Sequence, residues 1–220
     1  MRKKKNLDTR LEHTGGRILY MDRPNRDHRL AETERTLIDL AAVFGNTNPL
    51  ALEIGCGKGQ FACEAAKRDP NTNFLAVEQS SNVILSAAER AEQENIPNLR
   101  FLRGGAEYLA CYIPPASVRT IYLNFSCPFP KNTYAVHRLT HRRFLEIYKG
   151  LLLPGGEIHQ KTDAMGLFEF SLAEFSQNGF RLKNISLDLH NSPFTAENII
   201  TEYEAKFVAE GKPIYRLEAY

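Results

Sequence analysis

One stretch decides the fold of this chain: Leu50-Ala51-Leu52-Glu53-Ile54-Gly55-Cys56-Gly57-Lys58-Gly59. Its first five residues read as a short apolar strand, and three glycines at alternate positions follow. Glycines let a backbone turn tightly and approach a ligand closely. Residues 59–68 then predict a helix that stops near Pro70. A strand, a glycine turn and a helix in this order indicate the first unit of an α/β fold.

The rest of the chain continues the same alternation of strands and helices. Further strands are predicted at 74–77, 99–102, 120–125, 157–161, 180–189 and 213–219. Further helices are predicted at 29–44, 81–94, 139–152, 166–177 and 201–210. This order predicts a doubly wound, seven-stranded and mostly parallel sheet with helices on both faces. Such sheets bind ligands outside the carboxyl ends of their strands.

Composition limits the class of protein. The chain has 220 residues, 43% of them hydrophobic and 25% charged, which fits one globular domain. We expect a domain over residues 31–220 and a basic arm over residues 1–30. No apolar run of 18 residues exists and no apolar segment follows the basic N-terminus, so we expect neither a membrane span nor a secretory signal. The four cysteines lack metal-ligand spacing, so we expect no metal site and a cytoplasmic protein.

Positive charge is concentrated in two segments, although the net charge is only +2. Residues 1–35 contain ten Lys and Arg against six acids. Residues 131–149 contain five Lys and Arg and two His against Glu146 alone. Such clusters neutralise nucleic-acid phosphates in some proteins and are solvated helix faces in others. Charge alone therefore leaves both interpretations open.

The acid beside the glycine turn points to a cationic ligand. The pattern GxGxG preceded by Glu53 differs from the GxGxxG of dinucleotide enzymes and is not a P-loop. Glu53 would repel a pyrophosphate, whereas it would attract an ammonium or sulfonium group. Glu78 ends the second strand, nineteen residues after Gly59, where a carboxylate can accept both hydroxyls of a ribose. We therefore predict S-adenosylmethionine as the cofactor; the alternative is a purely structural turn with Glu78 on the surface.

The loop after the fourth strand is where the methyl acceptor is expected, and its prolines restrict it to few conformations. At this point the chain resembles the bacterial tRNA (guanine-N7)-methyltransferase family over roughly residues 35–220. The matching stretches are residues 52–61, 122–126, 128–131, 156–163, 201–204 and 214–219. The resemblance implies a Rossmann-like class I methyltransferase fold whose last strand is antiparallel.

The resemblance also implies an activity and a set of site residues. The activity is methylation of N7 of the guanine at position 46, in the variable loop of tRNA. The matching residues imply cofactor binding by Glu53, Gly55, Gly57, Gly59, Glu78, Gly105 and Cys127. They imply binding of the base or RNA by Lys131, Arg138, Asp163, Thr201, Glu202, Tyr203 and Glu204. Cys127 and Lys131 are the expected catalytic positions. From the residues alone, a helix N-cap remains open for Asp163, and helix stabilisation for Glu202 and Glu204.

The chain departs from the family pattern at three places. Family members usually carry Asp where Gly105 and Cys127 stand. The basic run after the acceptor loop is also altered at residues 132–137. Guanine N7 has a free lone pair at neutral pH, so its methylation needs mainly positioning and no prior deprotonation.

Two other functions stay open at this point. The loop that contains Asn124 and Phe129 lies where amino-methyltransferases carry Asn/Asp-Pro-Pro-Phe/Tyr, so an exocyclic amine of an RNA base is one alternative acceptor. A catalytically weak RNA-binding paralogue is the other alternative. In each case we expect tRNA or another RNA as partner, no membrane, and a monomer or homodimer.

Overall fold

The computed structural model describes residues 4–14, 16–20 and 35–220 of the chain. The basic residues at positions 2, 3, 23, 26 and 29, and the first part of the helix predicted at 29–44, lie outside the described residues. None of the helices in the described ranges is long and apolar enough to cross a membrane.

The described residues form one sheet of eight strands in the order β1-β4-β3-β2-β5-β6-β8-β7. The strands are β1 (Ile18–Tyr20), β2 (Leu50–Ile54), β3 (Asn73–Glu78), β4 (Leu99–Arg103), β5 (Val118–Asn124), β6 (Leu152–Thr162), β7 (Leu182–Ser186) and β8 (Tyr215–Ala219). Only β8 runs antiparallel to its neighbours, β6 and β7. The predicted doubly wound, mostly parallel sheet with an antiparallel last strand is confirmed.

Helices cover both faces of this sheet. They are α1 (Leu7–Glu12), α2 (Leu40–Phe44), α3 (Gln60–Arg68), α4 (Ser81–Gln93), α5 (Leu109–Tyr112), α6 (Arg142–Leu151), α7 (Met165–Gln177) and α8 (Glu202–Ala209). One hydrophobic core contains residues of α5, α6 and α7, and a second contains residues of α1, α3 and α4. All five residues of β2 are buried, since alternate side chains enter opposite cores.

Several elements differ from those that the sequence predicts. The eighth strand is β1, in the segment predicted as an arm, where Ile18 pairs in parallel with Phe101 of β4. Leu7 and Leu11 of α1 are buried in the second core. The helix predicted at 29–44 was wrong over residues 35–39, because the Asp39 side chain caps Ala42 N and starts α2 there. The glycines at 155 and 156 lie inside β6, which begins directly after α6.

The strand order places a switch point between β2 and β5. From β2 the chain moves outward through β3 to β4, and it then returns to the other side of β2 as β5. The crossovers on the two sides lie on opposite faces, which leaves a crevice at the carboxyl ends of β2 and β5. The glycine turn and the proline-rich loop both begin at this crevice.

Candidate active site at the switch point

The glycine turn is tied to the end of the neighbouring strand. Gly55 N and Cys56 N both donate to Val77 O, at 2.8 and 3.0 Å. Gly55, Gly57 and Gly59 all have positive φ angles, of 80°, 56° and 78°. Side chains rarely adopt this conformation, so the turn requires glycine at these positions.

Gly59 has a second reason to lack a side chain. A Cβ at this position would lie 2.8 Å from Ala87 Cβ on α4. The glycine therefore allows α3 to begin in close contact with α4. This packing holds the start of α3 against the sheet, directly behind the turn.

Glu53 is a buried carboxylate with one oxygen left unpaired. Its side chain is 4% exposed, and its Oε1 accepts a hydrogen bond of 3.0 Å from Asn124 Nδ2. Its Oε2 has no hydrogen-bond partner among the residues that the structure describes. Burial raises the pKa of Glu53 to about 7, although the Asn124 hydrogen bond, the nearby Lys161 charge and the nearby Ala62 backbone N–H act in the opposite direction. An unpaired buried acceptor is costly, so this geometry favours a ligand that brings a positive charge to Oε2.

Glu78, at the end of β3, connects the glycine turn to the loop between β3 and α4. Its Oε2 accepts from Gly57 N at 3.3 Å, and its Oε1 accepts from Ser80 N at 2.9 Å. The carboxylate is half-buried and retains lone pairs beyond these two hydrogen bonds. This arrangement fits the predicted binding of two ribose hydroxyls.

A small cavity of about 70 Å³ brings several predicted residues together. It is lined by the glycine turn, by Asn124 and Phe125 at the end of β5, and by Thr201, Glu202 and Tyr203. Glu202 reaches across the turn to Lys58 at 3.7 Å and to Arg90 at 3.3 Å. The predicted cofactor and substrate segments therefore meet at one place.

The loop after β5 adopts an unusual backbone conformation. Phe125 and Phe129 have positive φ angles of 49° and 42°. Bulky residues seldom adopt such angles, and strain of this kind is often found at functional sites. Arg138 holds the loop, since its Nε donates to Pro128 O at 3.0 Å and its Nη2 donates to Phe129 O at 2.9 Å. Arg138 is buried and its guanidinium stacks on Phe170, so here it contacts the loop rather than solvent.

Cys127 and Lys131 lie on the outer side of the same loop, and both side chains are exposed. Neither lines the small cavity with Glu53. Their predicted catalytic roles remain predictions.

The segment that starts α8 is held by a capping box. Thr201 Oγ1 accepts from Glu204 N at 3.0 Å, and Glu204 Oε2 accepts from Thr201 N at 3.4 Å. The helix-stabilising interpretation of Glu204 is therefore part of its role. Tyr203 lies between them and is 61% exposed, stacked on Phe207 of the same helix.

Glu204 also belongs to a buried ion pair. Its Oε2 accepts from Lys161 Nζ at 2.7 Å, and its Oε1 lies 2.9 Å from His190 Nε2. Lys161 Nζ donates in addition to Asn198 Oδ1 and Ile199 O, each at 2.8 Å. Burial lowers the pKa of Lys161, and the Glu204 charge opposes this shift. Both Glu204 oxygens are thus engaged within the protein, and its predicted contact with the base remains a prediction.

Asp163 and Gly105 lie at the edges of the site. Asp163 follows β6 and its Oδ2 is 3.9 Å from Lys212 Nζ. Gly105 is buried in the turn after β4, outside the small cavity. Asn124 and Lys161 are important site residues that the sequence analysis did not select. The signal was present, because each is a polar residue at or next to the carboxyl end of a strand, where such sheets bind ligands.

At least four larger cavities, of about 410 to 480 Å³, lie among the described residues, and two of them bear on the site. One, of about 460 Å³, lies between α5 and α6, and one of about 480 Å³ adjoins the site through Phe61 and Asn124. Beside the second, Glu157, His159 and Glu218 lie close enough together to hold a metal ion. However, Lys183 and Arg216 already pair with both carboxylates, so this cluster is charge-balanced by its own residues. Volume alone does not mark the site. Among the buried side-chain atoms of the described residues that lack a hydrogen-bond partner, Glu53 Oε2 is the one that belongs to a carboxylate, and Glu53 lines the small cavity.

Comparisons with known proteins agree with this geometry. Residues 47–217 match a family model described as "Putative methyltransferase". The chain is 47% identical over 176 residues to the tRNA (guanine-N(7)-)-methyltransferase of Brevibacillus brevis, covering 80% of this chain and 82% of that protein. It is 49% identical over 177 residues to the enzyme of the same name from Listeria monocytogenes, with 80% and 82% covered.

The chain belongs to the tRNA (guanine-N(7)-)-methyltransferase family. Its fold is shared more widely among methyltransferases. An antibiotic-related methyltransferase superposes with a TM-score of 0.60 at 17% identity, covering 82% of this chain and 91% of that chain. The antibiotic-resistance methyltransferase Kmr gives 0.56 at 17% identity, with 82% and 90% covered. At this level of identity, the two structures support the fold alone.

The cofactor of this methyltransferase is S-adenosylmethionine. The residues present fit it, because Glu53 Oε2 is a buried acceptor without a partner in the described part of the chain. Glu53 would hold the cationic end and Glu78 the ribose, with the glycine turn between them.

Proposed function

We propose that the chain transfers a methyl group from S-adenosylmethionine to N7 of a guanine in tRNA. The observation that carries the proposal is the buried Glu53 carboxylate, which has one unpaired oxygen beside the glycine turn. The proposed acceptor, N7 of guanine, is taken from the chain's relatives, since those 47–49% identical to it are named tRNA (guanine-N(7)-)-methyltransferases.

Glu53 and Asn124 organise the cofactor end of the site. Asn124 Nδ2 fixes Glu53 Oε1, and Glu53 lines the small cavity together with the glycine turn. When bound, S-adenosylmethionine supplies a methyl group on a positively charged sulfur. Because burial raises the pKa of Glu53 to about 7, approach of a cation favours its ionised form at neutral pH.

The acceptor side needs positioning rather than a base. Guanine N7 has an available lone pair, so the N–C bond forms as the S–C bond breaks, and no proton is removed. The positive charge passes from the sulfur to the guanine ring. The loop after β5, fixed by Arg138, and the start of α8, fixed by Lys161, face each other across this point. We propose that exposed Lys131 and Tyr203 contact the RNA and that Asp163 accepts hydrogen bonds from guanine.

Within tRNA, the proposed acceptor is the guanine at position 46 of the variable loop, as the resemblance implies. The proposed compartment is the cytoplasm, where this substrate is processed.

The function is tested by incubating the purified chain with methyl-labelled cofactor and a tRNA transcript. We expect label at a guanine that becomes cleavable by borohydride and aniline, a reaction specific for N7-methylguanine. The matched control is the same transcript with 7-deazaguanine at the target position. This transcript presents carbon in place of N7, so it should accept no label.

The other outcomes separate the competing functions. Label that resists cleavage and persists on the 7-deaza transcript would reject N7 and indicate an exocyclic amine. Absence of cofactor binding in a calorimetric titration would reject both enzymatic functions and favour an RNA-binding paralogue.

A further inference from the structure

The sheet order predicts where the adenine of the cofactor lies. Glu53 is near the end of β2, Glu78 ends β3, and β4 is the next strand in the sheet. Neighbouring strands are about 4.8 Å apart, which is close to the spacing of consecutive parts of a nucleoside. A ligand with its cationic end at Glu53 and its ribose at Glu78 therefore places its base at the turn after β4, residues 104–108.

This turn contains a glycine that the backbone does not require. Gly105 has φ −96° and ψ 154°, an extended conformation open to any residue. Space excludes a side chain instead. A Cβ on Gly105 would lie 2.5 Å from Glu107 Oε2 and 2.7 Å from Glu107 Cδ. The carboxylate of Glu107 is thus folded back over Gly105 and fills the volume that a side chain at 105 would occupy.

The Glu107 carboxylate is available to a ligand. It lies on the single 3-10 turn Ala106–Tyr108 and is half-buried. Within residues 4–14, 16–20 and 35–220 it has neither a hydrogen bond nor an ion pair. An ionised carboxylate only accepts hydrogen bonds, so its natural partner at this position is a donor.

We propose that Glu107 recognises the exocyclic amino group of the cofactor's adenine and thereby selects adenine over a 6-oxo purine. The carboxylate accepts the amino N–H, whereas a 6-oxo purine would present an oxygen to the same carboxylate and be repelled. Glu107 thus provides a carboxylate at the turn where residue 105, a glycine, cannot provide one. The inference rests on the proposed function, since it requires an adenosyl cofactor at the switch point.

The test compares two ligands on the same protein by calorimetry. They are S-adenosylhomocysteine and its analogue with hypoxanthine in place of adenine. We expect the unchanged protein to prefer the adenosyl ligand by at least about tenfold, as for a hydrogen bond to a charged group. In E107Q the amide can either accept or donate, so the preference should fall to about twofold or less. The ratio of the two affinities is internal to each protein and is not affected by a modest loss of stability.

Two further variants sharpen the result. E146Q removes another carboxylate beside the 460 Å³ cavity that Glu107 also lines, and it should leave the preference unchanged. The double variant G105D/E107A moves the carboxylate to residue 105, and it should restore a preference that E107A alone lacks. An unchanged preference in E107Q would overturn the assignment of Glu107 while leaving the cofactor in place. Failure of the unchanged protein to bind either ligand would instead overturn the proposed function together with this inference.

Discussion

Two buried carboxylates near the switch point differ in whether both of their oxygens have partners within the protein. Glu53, beside the glycine turn, has one oxygen paired with Asn124 and the other unpaired. Glu204, at the start of α8, is fully buried, and both of its oxygens are paired with residues that include Lys161 and His190. A carboxylate whose partners are all internal is engaged within the fold, whereas we propose that the one left unpaired binds the cofactor. Exposure alone does not separate them, because both are buried.

The largest effect is expected from breaking the paired carboxylate. E204A leaves the Lys161 ammonium buried without its partner, so the free energy of unfolding should fall by about 3–5 kcal/mol. Urea unfolding followed by circular dichroism measures the change. The control is K161M/E204L, which removes both charges and should recover most of the loss. If the double variant is as unstable as E204A, the unpaired charge is not the cause.

Replacing Glu53 should have the opposite effect on stability to replacing Glu204. E53Q removes the charge that attracts the cofactor, so the affinity for S-adenosylmethionine should fall roughly 100-fold. At pH 8 the free protein should gain stability, by about 1–3 kcal/mol, because a buried charge is no longer required. Calorimetric titration and urea unfolding of the same preparation measure both quantities. A variant that loses stability and keeps its affinity would reverse the roles assigned to the two carboxylates.

The pH dependence sharpens the comparison further. Burial raises the folded-state pKa of Glu53 from 4.5 to about 7. Since this value is raised, the contribution of Glu53 to stability is complete below about pH 4.5 and is lost as the pH rises to 7. Cofactor affinity follows the opposite course, because only the ionised carboxylate attracts the cation. It should rise by up to about tenfold per pH unit toward pH 7 and level off above it.

The control for this profile is E53Q, whose cofactor affinity should lack the rise below pH 7. Affinities measured from pH 5.5 to 8.5 provide the comparison. A rise that survives in E53Q would assign the titration to another group.

The smallest effect is expected at the exposed ion pairs that join the start of α8 to the glycine turn and to α4. Glu202 joins the start of α8 to Lys58 and Arg90, but its side chain is 45% exposed. Exposed ion pairs contribute little, so E202Q should change the free energy of unfolding by less than about 1 kcal/mol. Raising the salt concentration should reduce this difference further in urea unfolding. A loss as large as that of E204A would show that the contact across the turn, rather than the buried pair, holds α8.

Much of the fold could be predicted because its signals are local. Strands β2 to β5, with α3, α4 and α7, appear within a few residues of the predicted positions, since hydrophobic periodicity and glycine or proline boundaries define them. Strand β1 was missed because three residues carry too little periodicity. Strand β6 was predicted to start at 157 rather than 152, since Pro154 and the following glycines resemble a loop when the neighbouring strand is unknown.

The sequence by itself determined the order of strands and helices, the glycine turn, and the acids that end β2 and β3. These features depend on residues that are close together in the sequence, so they can be predicted from it directly. Only the tertiary structure decided which carboxylate is paired. Asn124 reaches Glu53 across 71 positions and Lys161 reaches Glu204 across 43, and such contacts exist only once the strands are side by side. Pairing and burial are properties of the assembled sheet, and they separate the carboxylate that we propose binds the cofactor from the one that is engaged within the fold.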